Sequence, residues 1–350
     1  MRSEDFVIDP TDRVLITGAS GFIGTRVVEN LLERGFRNLR CFVRPSSDVT
    51  KLQAIGRRYP GVEIVSGNLL SRSDCIAAAE GVAVVYHLAA AKGEKSFPDS
   101  FMNSVVTTRN LLDATLHHRC LRRFVHVSSF AVYANTGHRR RRLLEESSPL
   151  EPRPALRGEA YCFAKVKQEE LLGEYGALGI PYVIVRPGYV YGPGHQEISG
   201  RVGIGTFGVF LHLGGSNTIP LTYIDNCADA IVLAGLRQGV GGEIFNVVDD
   251  DLPSSRTFLR LYKRHVRRFT SIYVPHALSH ALCWLWESYS TWSEGQLPPV
   301  FNRRRWHANW KKTRYTNARA KTQLGWAPRI STAEGLRRYF ESARHRGQHA

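Results

Sequence analysis

Short apolar runs that do not alternate recur through the first half of the chain, with helical patterns between most of them. Val14-Leu15-Ile16 comes first and ends in Thr17-Gly18. Leu39 to Val43, Val62 to Val65, Val82 to Leu88, Phe124 to Val127 and Tyr182 to Arg186 repeat the theme. Between the first two runs, Ile23, Val27, Val28, Leu31 and Leu32 are spaced for one buried face of a helix from about Gly21 to Arg34. Gly35 is placed to close that helix. Strands buried on both faces and alternating with helices predict an α/β fold, a Rossmann-type doubly wound parallel sheet.

After Tyr191 the pattern changes. Residues 192–221 are rich in Gly and Pro and read as loops with a short helix. Residues 222–248 return to the earlier style, with a helix from Ala228 to Leu236 and a strand from Ile244 to Val247. The rest is aromatic and basic, helical but without a further strand–helix repeat. The expected organisation is a dinucleotide-binding domain over 11–191, rejoined by 222–248. A smaller, interleaved substrate-binding domain takes 192–221 and 249–345. Within it, Leu278, Ala281, Leu282, Leu285 and Tyr289 share one helical face, which Trp284 and Trp286 broaden. That face reads as core or substrate-domain packing. A hydrophobic substrate wall or a membrane-surface contact is the sharper alternative.

Composition narrows the partners. Lys and Arg number 47 against 31 Asp and Glu, a formal charge of +16. No nucleic-acid-binding module accompanies that charge, so a basic surface is expected and not a nucleic-acid partner. Arg139-Arg140-Arg141-Arg142 reads as a solvated loop, with anion contact as the alternative. Six cysteines, at 41, 75, 120, 162, 227 and 283, form no CxxC pair, which fits reduced thiols in a cytoplasmic protein. The opening MRSEDFVIDPTDR lacks the apolar core of a signal peptide, and no run of about 18 apolar residues predicts a transmembrane helix. No metal site is expected.

Two motifs carry chemistry. Gly18-Ala19-Ser20-Gly21-Phe22-Ile23-Gly24 sits between a strand and a helix. Gly18 permits the tight turn, Gly21 lets backbone approach a pyrophosphate, and Gly24 lets helix pack on strand. The helix N-terminus would then face the diphosphate of NAD or NADP. Where an NAD-selecting acid is usual, at the end of the second strand, the chain has Val43-Arg44-Pro45-Ser46-Ser47. Arg44 suits the 2′-phosphate of NADP, so the cofactor expectation leans to NADP. Stacking of Arg44 on the adenine of either cofactor is the alternative. The second motif is Tyr161-Cys162-Phe163-Ala164-Lys165, whose spacing of four places Tyr161 and Lys165 on one helical face. A nearby ammonium favours the phenolate, which makes Tyr161 a workable general acid/base. Ser129, after the fifth strand, supplies a hydroxyl for the reacting oxygen, and Lys165 would also hold the nicotinamide ribose.

Together these motifs resemble the extended short-chain dehydrogenase/reductases, the NAD(P)-dependent epimerase/dehydratase superfamily, over nearly the whole chain. Matching pieces include His87-Leu88-Ala89-Ala90, Arg186-Pro187-Gly188-Tyr189-Val190-Tyr191, Thr222-Tyr223-Ile224-Asp225 and Leu324-Gly325-Trp326-Ala327-Pro328. The resemblance implies that Leu88, Ala89 and Ala90 line the cofactor cleft and that Pro187, Gly188 and Val190 pass by the nicotinamide. It adds Ser20, Phe22 and Ile23 to the phosphate turn and Asn68 and Leu69 near the adenine. It also selects Ser129 over Ser128, four residues before Tyr133, and implies a possible homodimer. Three departures matter. Asn68 replaces the usual Asp of a Gly-Asp-Leu, and the family's structural Asn before the fifth strand is absent or shifted to Asn103. Phe130 and Ala131 stand where related dehydratases carry Asp-Glu, which disfavours elimination or decarboxylation by those routes.

The expected function is therefore hydride transfer at a secondary alcohol or ketone. A sugar-nucleotide epimerase or ketoreductase ranks first, with Arg201, Arg303, Arg304 and Arg305 available to neutralise a diphosphate. A 3β-hydroxysteroid-dehydrogenase-like oxidoreductase of an apolar alcohol is the close alternative. A non-catalytic, NAD(P)-sensing binding protein is the third.

Overall fold

The computed structural model describes residues 5–91, 96–135, 142–195, 197–294, 296 and 301–347. Seven strands make the main sheet: β1 (Arg13–Thr17), β2 (Leu39–Val43), β3 (Val62–Ser66), β4 (Val82–His87), β5 (Arg123–Val127), β6 (Tyr182–Pro187) and β7 (Ile244–Val247). Their order across the sheet is β3-β2-β1-β4-β5-β6-β7, and every neighbouring pair is parallel. Ile16 lies in register between Cys41 and Tyr86. The chain winds outward from β1 to β3, then crosses back to lay β4 on the other side of β1. Where the winding reverses, the strand ends leave a crevice, the usual ligand position in such sheets.

Helices cover both faces because alternate strand residues need cover on both. Val14 and Ile16 of β1 point to one face, packed with α1 (Phe22–Glu33), Leu52 of α2 (Thr50–Arg58) and α6 (Ile224–Leu236). Leu15 points to the other face, under α3 (Arg72–Ala79), α4 (Thr107–His118) and α5 (Ala160–Ala177). Gly35, at φ +94°, ends α1 as the sequence suggested.

The smaller lobe is built from α7 (Ser255–His265), α8 (His276–Trp292), α9 (Arg303–Trp310) and α10 (Thr332–Gly347), with short strands between. It is threaded through the sheet domain. Tyr189–Tyr191 pairs in parallel with Leu221–Tyr223. Far downstream, Trp326 is buried in the core beneath α6, where its Nε1 donates to the Asn226 carbonyl at 3.0 Å.

Two expectations need correction. The short helix expected within 192–221 is a β-hairpin, Gly203–Thr206 and Val209–His212, joined in parallel by Ser271–Tyr273. Alternating glycines, at 203, 205 and the turn residue Gly208 (φ +76°), favour extended chain and a reversal over helix. The apolar face of 275–289 is not core. Leu278, Leu282, Leu285 and Tyr289 face outward, about half exposed, while Ser279, Cys283 and Ser290 form the buried face of α8. The small residues let α8 lie close on α9, where Trp306 Nε1 donates to Ser279 Oγ at 2.9 Å. Of the basic run, Arg139, Arg140 and Arg141 lie outside the described residues, and Arg142 opens a short strand paired with Thr313. The six cysteines are free, five of them buried. Among the described residues no helix is long and apolar enough to cross a membrane.

Candidate active site

The glycine turn occupies the crevice end of β1. Gly18 takes φ +69°, and a Cβ there would meet the Ala89 nitrogen at 3.0 Å. Gly24 is tighter: a Cβ would lie 2.1 Å from the Gly18 carbonyl oxygen, so this glycine sets how closely α1 sits on β1. Beyond the turn's own Gly18 oxygen, nothing lies within 4 Å of a Cβ built on Gly21, and that face is open. No side chain caps the start of α1 and no acid lies in its first turn. The unpaired N–H groups of Phe22, Ile23 and Gly24 and the positive helix end therefore make a cradle for an anion, with Ser20 beside them. The residues present fit a dinucleotide's pyrophosphate.

The strand ends on either side frame the rest of the crevice. Arg44 is exposed just past β2, with no ion pair among the described residues. Asn68 is exposed past β3, but its Oδ1 already accepts from the Leu70 nitrogen at 3.0 Å. Leu69 is buried in the core beneath that corner. Leu88, Ala89 and Ala90 run past Gly18, with the Ala89 nitrogen on Thr17 Oγ1 at 3.3 Å. Pro187, Gly188 and Val190 leave β6 on the far side. Gly188 is required there, since a Cβ would lie 2.2 Å from the Pro220 oxygen. Asn103 does not replace the missing structural Asn. Its amide turns to the Asp99 carbonyl on the exposed side.

Tyr161, Lys165 and Ser129 converge across β5 and the first turns of α5. The Ser129 hydroxyl, which accepts from the Ala131 nitrogen at 3.2 Å, lies near enough to the Tyr161 phenol to act on its protonation. Tyr161 is 41% exposed, because its ring faces the open crevice. The surrounding walls still push its phenol above the ordinary value, and the neighbouring Ser129 hydroxyl opposes that rise. Lys165 lies under the ring, its Nζ 6.0 Å from the ring centre and donating to the Val127 carbonyl at 2.7 Å. Burial lowers its ammonium to about 8, partly offset by the Glu169 carboxylate. Phe130 is buried and stacked on Tyr315, so no carboxylate occupies the position after Ser129.

Two supporting networks were missed in the sequence. Glu169, one turn beyond Lys165, makes a buried bidentate ion pair with Arg186, at 2.9 Å from Nε and 2.5 Å from Nη2. Ser128 donates to the same carboxylate at 2.5 Å, and Arg186 donates onward to the Tyr133 hydroxyl, which donates to Asn246. This chain of bonds ties β5, α5, β6 and β7 together directly behind the tyrosine–lysine pair. The i+4 spacing from Lys165 to Glu169 was the available signal. Beside it, His87 bridges Thr17 and Thr108 at 2.8 Å on each ring nitrogen. Burial drives His87 down to about 3, so it is a neutral strut linking the glycine turn to α4.

The arginines proposed for a diphosphate have other partners. Arg303 pairs with Glu287, Arg304 with the buried Glu151 and Arg305 with Glu159. Arg201 donates to the Ala308 carbonyl at 2.8 Å.

Comparison with known proteins agrees with this fold. One relative is a 4-hydroxy-2-methyl-3-oxo-4-farnesyl-3,4-dihydroquinoline-1-oxide ketoreductase of Stigmatella aurantiaca. It is 27% identical over 330 residues, covering 93% of this chain and 94% of its own. An uncharacterized UDP-glucose epimerase of Bacillus subtilis (strain 168), YtcB, is 29% identical over 255 residues, covering 67% of this chain and 76% of its own. Among solved structures, the UDP-glucuronic acid 4-epimerase of Bacillus cereus superposes with a TM-score of 0.72 at 22% identity, over 95% of this chain and 99% of its own. The family model for the NAD dependent epimerase/dehydratase family matches residues 14–247, which takes in the glycine turn, the tyrosine–lysine pair and all seven strands but one residue of β1. The chain belongs to that family and is an NAD(P)-dependent enzyme.

Proposed function

We propose that this protein is an NAD(P)-dependent ketoreductase, or the matching dehydrogenase, acting on a secondary alcohol or ketone of an apolar substrate. The observation that carries the reading is the convergence of Ser129, Tyr161 and Lys165 at the open end of the crevice that begins at the α1 cradle. When bound, the nicotinamide supplies or accepts the hydride. Ser129 holds the reacting oxygen, and Tyr161 gives it a proton in reduction or takes one in oxidation. Lys165, held by burial and by Glu169, orients the tyrosine and is placed to hold the ribose. Gly18, Gly21 and Gly24 would hold the diphosphate, with Leu88 to Ala90 and Pro187 to Val190 as the walls. Arg44, free and exposed, supports NADP over NAD.

Two observations support an apolar substrate. The arginines that would meet a sugar nucleotide's diphosphate are already countered by Glu287, Glu151 and Glu159. The ketoreductase relative, whose named substrate carries a farnesyl group, matches through the smaller lobe as well, whereas the UDP-glucose epimerase relative covers 67% of the chain. A sugar-nucleotide epimerase is the second reading, favoured by the full-length likeness to the 4-epimerase fold.

The test is NADPH and NADH consumption with a panel of hydrophobic ketones and UDP-sugars. Net consumption of NADPH in preference to NADH, with an apolar ketone, is the expected result. Interconversion of UDP-sugars without net absorbance change establishes the epimerase instead. Tyr161→Phe should lose about 10²–10⁴-fold in rate while keeping cofactor affinity. An unchanged rate would sink the catalytic assignment.

A further inference from the structure

The outer face of α8 has no partner among the described residues. Leu278, Leu282, Leu285 and Tyr289 are 52%, 52%, 53% and 48% exposed, and Trp284 and Trp292 flank them at 48% and 78%. The spacing i, i+4, i+7, i+11 makes this one continuous stripe. No charged side chain interrupts it, since Glu287, the one charge on α8, pairs sideways with Arg303. The apolar surface continues onto the strand just before α8, where Ile272 and Tyr273 are 54% and 46% exposed. A surface of this kind is unusual on a chain that buries its core elsewhere.

Charge points to what covers it. From Leu252 to Trp286 the chain carries Arg256, Arg260, Lys263, Arg264, Arg267 and Arg268 and no Asp or Glu. Several of these sit at the edge of the apolar surface. Arg256 lies over the Tyr273 ring at 5.4 Å, and Lys263 donates to Ser271 at 2.9 Å and lies over Phe269. Lys263, Arg264, Arg268, Phe269 and Thr270 line one shallow basic hollow. An apolar, Trp- and Tyr-bearing stripe edged by cations, with its one nearby acid, Glu287, paired to Arg303, matches the layering of an anionic membrane surface. A second copy of the chain is a poorer match, because a two-fold contact through this face would set basic edges near one another, and Glu287, the one acid of α8, is already paired with Arg303.

We propose that α8 and the basic segment before it form a docking surface for an anionic lipid bilayer. The helix lies in the plane of the headgroups, Leu278, Leu282, Leu285 and Trp284 enter the acyl boundary, and Arg256, Lys263, Arg264 and Arg268 meet the phosphates. The protein rests on the membrane and does not cross it.

The test uses the full chain and sedimentation with vesicles of phosphatidylcholine alone or with about one-third phosphatidylglycerol. Binding to the anionic vesicles, weakened by about 0.5 M salt, is expected, together with a blue shift of tryptophan emission. The double substitution Leu282→Glu and Leu285→Glu should lower vesicle partition by at least about tenfold. Because both side chains already face solvent, circular dichroism, the unfolding midpoint and cofactor affinity should stay as in the parent. Arg264→Glu with Arg268→Glu should cut binding to anionic vesicles by a similar factor without changing the fold. The proposal fails if the parent ignores anionic vesicles, or if the leucine variant binds them equally. It also fails if that variant instead breaks a concentration-dependent dimer that never bound lipid. None of these readouts uses turnover, so the result stands apart from the proposed ketoreductase activity.

Discussion

Lys165 is where a single side chain's environment has the most direct kinetic consequence. Burial lowers its ammonium from the ordinary lysine value of 10.5 to about 8, and Glu169 limits the fall. The Tyr161 phenol is displaced upward, so lysine is the first of the pair to lose its proton as pH rises. Below about 8 Lys165 is charged, and Tyr161 is neutral and able to donate. Ketone reduction should therefore hold a plateau at lower pH and decline as pH passes through about 8. A kcat/KM profile against pH checks this, and Lys165→Arg, which stays protonated, should remove the decline. For stability the sign is the reverse of a gained ion pair. The unfolded lysine binds its proton more tightly than the folded one, so this residue's contribution improves as pH climbs from about 8 toward the unfolded value of 10.5.

The elements show how local sequence becomes a site. Helix α1 can aim its N-terminus at a diphosphate only because Gly24 lets it lie against β1. Gly24→Ala places a Cβ 2.1 Å from the Gly18 oxygen, so the turn must open. We expect a loss of about 1–3 kcal/mol of stability and a larger fractional loss of cofactor affinity, measured by thermal unfolding and NADPH fluorescence titration. This part was legible in the sequence because turn chemistry and period are local: the six runs from Val14 to Arg186 fall on β1 to β6, and Ser129, Tyr161 and Lys165 meet. What depended on distant partners was not legible. The apolar pattern of α8 defined a face but not its neighbour, and Ser279, Cys283 and Ser290 carried the buried side without an apolar signal. The hairpin at 203–212 lay in a glycine-rich stretch whose pairing with Ser271–Tyr273 is long-range. Glu169 looked like one more acid on a helix until Arg186, from another strand, came to meet it.

At the scale of the molecule the two lobes cannot be separated by one cut. Ile23 and Val190 pack against the sheet core and also against the core of the smaller lobe. Asn226 on α6 accepts from the Arg329 and Ile330 nitrogens and donates to Asp249. Unfolding should follow a single transition, reported alike by fluorescence and circular dichroism. Trp326→Ala, which empties a fully buried site under α6, should lower stability by about 3–5 kcal/mol in urea without splitting that transition. Trp326 has a second consequence, in time. The last strand of the sheet ends at Val247, yet one of the sheet domain's core side chains comes only at Trp326. The nascent chain must therefore hold β1 to β7 with a gap beneath α6 until Trp326 has been made, and the domain closes only when that later segment arrives.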